Sequence, residues 1–355
     1  MDLHAWNRQK NLWLREQKRR IALALFDKKN SHTFSQQEVK NFRKILILRN
    51  DNKLGDMIVT SVVIRELKKQ LPQAEISVLA GPTSAQLLTS NPYVSHIYIG
   101  ENKLWQMRRL GRQLAKEHFD LFVDFDRKNS VATLLLLRLL HPKFAFGFNR
   151  GGVELYNLSV PLDYDAFHVT QWHEKLLTTL GLKLTSTHYD LFLPQETEQE
   201  TEDFLSPYKP FIVLNVFAAS KHRCFSWKQV CAVANAFPNY NFVLLGKSAQ
   251  IYDFTKDKTK PTNIVTLPPS FGLFHCLATL KQSVLLITPD TMYVHAGVAF
   301  QKPQVCVYQG TRRDNCTVWG PNDPHAHLLF APEDINTLPT DPLIKTIKEI
   351  LAKIR

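Results

Sequence analysis

The sequence has no apolar run long enough to span a bilayer. Its longest candidates, 21–26 and the stretch 134–140 broken by Arg138, fall far short of the roughly 18–20 residues that a spanning helix needs. The basic N-terminus lacks the apolar core and small-residue cleavage site of a secretory leader, so the expected location is the cytoplasm. Cysteine is scarce. Cys224, Cys231, Cys276, Cys306 and Cys316 form an odd set without a close-spaced pair, which suggests neither a disulfide framework nor a zinc site. There is no Gly-rich phosphate loop and no dinucleotide fingerprint, so kinase and dehydrogenase readings lose their main support. No recognised nucleic-acid-binding module is present either, and nucleic acid is not an expected partner.

What is there is a folded chain of 355 residues, 44% hydrophobic and 21% charged. It is too long for one ordinary core and fits two domains. The formal charge of +12 calls for an anionic partner. Part of the surplus is local: residues 1–30 hold eight basic residues (Arg8, Lys10, Arg15, Lys18, Arg19, Arg20, Lys28, Lys29) against three acids (Asp2, Glu16, Asp27). Residues 3–29 read as a helix with Trp6, Trp13, Leu14, Ile21 and Leu25 available to one broad apolar side. Such a helix suits an anionic membrane face or a docking site on the protein body, and the pattern does not choose between them.

From Lys44 onward short β-branched runs alternate with helical stretches, the signature of a parallel sheet with crossover helices. Strands are predicted at 45–48, 75–79, 96–99, 121–124 and 143–147, with helices at 56–70, 104–118 and 130–140. The regularity weakens around 163–195, where one helix at 169–180 is predicted. A second series follows, with strands at 211–215, 241–245, 263–265, 284–287 and 304–308 and helices at 227–236, 271–280 and 291–299. The expected organisation is a helical extension (1–40), a first Rossmann-like domain (41–165), a linker region (166–195), a second Rossmann-like domain (196–340) and a terminal helix (341–355). Ligands of such sheets bind outside the carboxyl ends of the strands, so an active site is expected between the two domains.

Four stretches carry candidate chemistry. In the first, the strand 45–48 runs through a polar loop to Gly55-Asp56 at the start of a helix, which puts Asp56 at the carboxyl edge of the sheet. Capping of the helix start explains an Asp there equally well. In the second, a strand ends in Pro289-Asp290-Thr291-Met292 and a helix carries His295. The helix start and the Thr291 hydroxyl suit a phosphate; a plain cap and a core imidazole are the alternative. The third places Lys221 and Arg223 in a loop after the strand 211–215, where a guanidinium can neutralise a diphosphate leaving group. The fourth, Tyr308-Gln309-Gly310-Thr311, ends a strand where phosphate or sugar would lie. Asp124-Phe125-Asp126 has the form of a metal-binding Asp-x-Asp, but the pattern recurs in a loop at Asp163 and Asp165, and two repeated α/β halves argue against the fold that uses it. His325 and His327 lack a third ligand, and no metal site is expected.

In this order the Gly-Asp element, the basic loop, the Asp-Thr-x-x-x-His element, Tyr-Gln-Gly-Thr and the later Trp319-Gly320-Pro321 resemble glycosyltransferase family 9, the inverting heptosyltransferases of lipopolysaccharide inner-core assembly. The similarity spans about 44–330. It implies a GT-B fold, with an acceptor domain, then a nucleotide-sugar domain, then a final helix that packs back on the first domain. It also implies Asp56 as the base, Lys221, Arg223, Asp290, Thr291, Met292, His295, Gly310 and Thr311 toward the donor, and Arg49, Asn52, Lys53 and Asp126 toward the acceptor. The implied co-substrate is a nucleotide diphosphate sugar, ADP-heptose, with no separate cofactor. The implied acceptor is an anionic lipid-linked saccharide, Kdo-lipid A or a heptosylated core, met at the inner face of the cytoplasmic membrane. The chain departs from the family pattern in two places. Met292 stands where a glycine is usual, and no acidic residue follows the strand 241–245 near Gln250. A nucleotide-sugar epimerase of the same fold and a non-catalytic saccharide-binding relative remain open alternatives.

Overall fold

The computed structural model describes residues 3–127 and 130–354; the side chains of 3–9, 11, 12, 15 and 312, and with them Trp6, Arg8 and Arg15 of the expected amphipathic helix, lie outside the described set. The chain divides into two units, one of 1–164 and 170–186, the other of 165–169 and 187–355. The expected linker is therefore shared out: most of the helix Val169–Thr179 belongs to the first unit, because Trp172, Leu176 and Leu177 are buried.

In the first unit, helix α1 (Leu3–Phe26) is followed by β1 (Lys44–Arg49), α2 (Leu54–Gln70), β2 (Glu75–Ala80), β3 (His96–Ile99), α3 (Leu104–Leu114), β4 (Leu121–Asp124), α4 (Val131–Leu140), β5 (Phe144–Phe148), β6 (Leu158–Val160) and α5 (Val169–Thr179). The strands are ordered β3-β2-β1-β4-β5-β6, and every pairing is parallel. Helices on both faces bury the sheet twice over, which is why Ile45, Leu46, Ile47 and Leu48 form an unbroken apolar run with no exposed surface. The register pairs Leu48 with Asp124, so the carboxyl ends of β1 and β4 lie side by side.

The second unit contains α6 (Gln195–Leu205), β7 (Phe211–Asn215), α7 (Trp227–Ala236), β8 (Asn241–Leu245), α8 (Ser248–Thr255), β9 (Ile264–Thr266), α9 (Leu273–Gln282), β10 (Leu285–Pro289), α10 (Met292–Ala299), β11 (Gln304–Gln309), α11 (Arg313–Trp319), β12 (Ala326–Ala331) and α12 (Thr340–Ile354). Its sheet is β12-β11-β10-β7-β8-β9, again parallel throughout. Counted from its own first strand, each sheet has the order 3-2-1-4-5-6. The strand order therefore reverses between β1 and β4 in one unit and between β7 and β10 in the other, the switch points at which such sheets bind ligands.

The final helix α12 belongs to the second unit. Leu343, Ile347, Ile350 and Leu351, spaced to make one apolar stripe, are buried in the core of the second unit with Val230, Val233 and Val305.

Candidate active site

Asp56 is the third residue of α2, one turn too far in to cap it, and the residue before the helix, Lys53, makes no side-chain cap. The carboxylate instead lies 2.6 Å from the Arg49 guanidinium and 3.6 Å from Lys53 Nζ, with a side chain only 13% exposed. Capping therefore does not account for Asp56. Burial pushes its pKa above the ordinary carboxylate value, and Arg49 opposes that shift, as does Lys53, while Asp51 adds to it. A carboxylate that is more basic than usual and paired with a guanidinium has the properties of a general base.

Asp126 extends from the neighbouring strand end into the same electrostatic environment. Burial, then the charge of Asp124 and the nearby Asp51, raise its pKa to about 7 against the pull of Arg49 and Arg150. Asp124 itself is wholly buried and fully engaged. It accepts from Arg150 at 2.9 Å, from the Tyr156 hydroxyl at 2.6 Å and from the Asp126 backbone N–H at 2.9 Å. Arg150 also donates to the Asp126 carbonyl. The Asp-x-Asp sequence therefore presents one carboxylate outward and one inward, rather than a pair for a cation.

Of the residues expected around the acceptor, Arg49, Lys53 and Asp126 gather with Asp56. Asn52 does not. Its backbone is left-handed (φ 60°), and its side-chain oxygen accepts the Thr83 N–H at 2.9 Å, tying this loop to the one after β2. The tie requires Gly81, whose Cβ would sit 2.3 Å from that oxygen.

In the second unit, Arg223 donates to both the backbone carbonyl and the carboxylate of Asp290, at 3.0 Å each, and Asn315 reaches the same carboxylate at 3.3 Å. Asp290 thus faces Arg223 and fixes the guanidinium at the end of β10. Thr291 caps α10, accepting the Tyr293 N–H at 3.3 Å. Buried Asn215, at the end of β7, donates to the hydroxyls of Thr288 and Thr291 at 3.0 Å each. The Thr291 hydroxyl expected to meet a phosphate is turned inward to this knot. His295 is a buried imidazole edge-on to Tyr189, with Nδ1 unbonded among the described residues, and burial drives its pKa down to about 3. It is a neutral core group.

Lys221 is exposed in the single turn that carries Arg223. Met292 opens α10, half-buried, while Gly310 and exposed Thr311 form a turn after β11. A Cβ on Gly310 would meet the Ala331 carbonyl at 3.0 Å, so the turn sits tightly against β12. Beyond the ends of β8 and β9 lies a cavity of about 160 Å³ lined by Gly246, Ile251, Tyr252, Thr266, Pro269 and Phe271. Neither it nor the supporting residues Asn215, Asn315 and Arg150 were among the candidates read from the sequence. The one available signal was a polar or charged residue at or just past the end of a buried strand: Asn215 is the last residue of β7, and Arg150 lies two residues beyond β5.

Comparison with known proteins agrees with this geometry. The chain is 25% identical over 370 aligned residues to "Putative lipopolysaccharide heptosyltransferase 4" of Escherichia coli strain K12, covering 99% of this chain and 98% of that one. A family 9 glycosyl transferase from Veillonella parvula superposes with a TM-score of 0.74 at 18% identity, covering 88% of this chain and 97% of its own. The E. coli ADP-heptose lipopolysaccharide heptosyltransferase II superposes with a TM-score of 0.70 at 17% identity, covering 87% and 99%. Both support the GT-B assignment of the two Rossmann-like units. The family model for glycosyltransferase family 9 (heptosyltransferase) matches residues 107–333. The chain belongs to glycosyltransferase family 9 and is a glycosyltransferase of the heptosyltransferase type.

Proposed function

We propose that this enzyme moves a heptose from ADP-heptose to an anionic, lipid-linked saccharide of the lipopolysaccharide core, with inversion and without a metal. The observation that carries the reading is Asp56, a largely buried carboxylate at the switch point of the first sheet that caps nothing and is paired with Arg49 at 2.6 Å. In this reading Asp56 accepts the proton of the acceptor hydroxyl as its oxygen attacks the anomeric carbon, and the bond to the diphosphate breaks on the opposite face. A single displacement inverts the centre.

Arg223, oriented by Asp290, takes the growing charge on the leaving ADP, assisted by Lys221 and the start of α10. The nucleobase enters the slot beyond β8 and β9, between Tyr252 and Phe271. Arg49, Lys53 and Asp126 face the acceptor. The named heptosyltransferase relatives support the choice of sugar and acceptor.

The test is Asp56→Asn assayed with ADP-heptose and heptose-deficient lipopolysaccharide. Transfer should fall by at least about a thousandfold, in keeping with loss of a positioned base, while the melting temperature and ADP binding stay close to wild type. Turnover near wild type would remove Asp56 from the chemistry. Isomerised nucleotide sugar formed without an acceptor would establish the epimerase instead.

A further inference from the structure

We infer that the outer faces of α1 and α3 together form a docking surface for an anionic phospholipid bilayer. This goes beyond the transferase reading and does not depend on which sugar is moved. Helix α1 is docked on the first unit through buried Ala22 and half-buried Leu23 and Phe26. The Asp27 carboxylate secures its end, accepting the N–H groups of Leu155 at 2.9 Å and Glu154 at 3.1 Å. The flank beside these residues remains open. Leu14, Ile21 and Leu25 recur at i, i+7 and i+11, a single stripe, and Ile21 and Leu25 are 60% and 67% exposed.

The start of α3 continues that stripe. Leu104 is 50% exposed and Trp105 63%. A groove of about 570 Å³, lined by Ile21, Leu25, Leu104 and Val131, joins the two helices into one apolar strip. Scattered surface leucines mean little, but a joined patch of this kind marks an interaction surface.

Charge identifies the occupant. Helix α3 contains no acid and displays Arg108, Arg109 and Arg112, all exposed and without an ion pair among the described residues. Arg108 lies one turn beyond Leu104, and Arg109 one turn beyond Trp105, so each apolar tip is followed by a cation on the same face. In α1, exposed Lys18 stands within the apolar stripe and lines the groove. The acid of that turn, Glu16, is already bound to Arg19 at 3.0 Å. Apolar side chains at the acyl boundary, flanked by cations at headgroup level, are the chemistry of a helix pair lying on an anionic bilayer. No helix among the described residues is long and apolar enough to cross one.

The test is flotation of the full chain with vesicles of phosphatidylglycerol and phosphatidylethanolamine against phosphatidylcholine alone. The wild type should float with the first, much less with the second, and be released as salt rises. Replacing Arg108, Arg109 and Arg112 together by Gln should lower partitioning on the order of a hundredfold. Ile21→Ser with Leu25→Ser and Trp105→Ser should lower it at least about tenfold. Both variants should melt as the wild type does and bind ADP normally. The inference is overturned if the wild type floats with neither vesicle, if it floats equally with both, or if the variants float as well as wild type. It is also overturned if sedimentation shows a dimer that Trp105→Ser dissolves, which would assign the patch to a second copy of the chain.

Discussion

At the scale of single residues, the first unit concentrates cost where the chemistry is proposed. Asp126 is the clearest case, because its carboxyl titrates near about 7 instead of its ordinary 3.8. The folded state therefore binds a proton between those values that the unfolded state has released. Stability from this group is unaffected below about pH 4, falls as pH rises toward 7, and stays low above that. Asparagine is isosteric with the protonated form and carries no charge to desolvate. Asp126→Asn should therefore melt at the same temperature as wild type near pH 4 and a few degrees higher at pH 8. Equal melting curves across that range would show that Asp126 is not strained by burial. Arg49 and Asp56 form the complementary pair: there the cation opposes the burial, which still leaves the carboxyl above its ordinary pKa.

At the scale of elements, Asn215 joins the ends of two strands to the start of a helix, holding Thr288 of β10 and the cap residue of α10 through one side-chain amide. Asn215→Ala removes both donors in a buried place and should cost about 1–3 kcal/mol. The loss should be local, read as faster hydrogen exchange at the amides of Met292, Tyr293 and Val294 with weaker ADP binding. Exchange unchanged there would mean that the Thr291 cap holds α10 by itself. The sequence left Thr291 open between a phosphate contact and a plain cap, because a strand, a polar turn and a helix look alike whether the hydroxyl turns in or out. Nor did the sequence show that the Asn52 side chain is engaged by the Thr83 N–H, close against Gly81 at the sheet edge. The strands of both sheets were legible because burial on two faces makes them continuous apolar runs. Helix α6 was not: in its sequence, QETEQETEDFL, only Thr201 and Leu205 are buried, so it has almost no apolar period to read. Strand β12 is only partly buried until Ala331, and short β6 offers a single buried leucine, so these two edge strands escaped, whereas the edge strands β3 and β9 were read.

At the scale of the whole molecule, the repeated strand order gives each unit its own switch point, and the two are furnished differently. The first holds Asp56 with Arg49 and Asp126, and burial raises the Asp56 carboxyl; the second holds Arg223 with Asp290. The proposed function divides the labour accordingly, with proton transfer in the first unit and diphosphate binding in the second. Arg223→Ala should therefore weaken ADP binding by about ten- to hundredfold, the loss of one charge-assisted contact, whereas Asp56→Asn should leave it unchanged. Arg223→Lys keeps the charge but loses the two-point hold on Asp290, so it should recover part of the affinity and none of the geometry. Raising the salt concentration should weaken ADP binding in the wild type more steeply than in Arg223→Ala, since the removed cation no longer contributes to the attraction. If Arg223→Ala instead binds ADP as the wild type does, with the same salt dependence, the diphosphate is held elsewhere, and the Arg223–Asp290 pair is a structural tie between the loop after β7 and the end of β10.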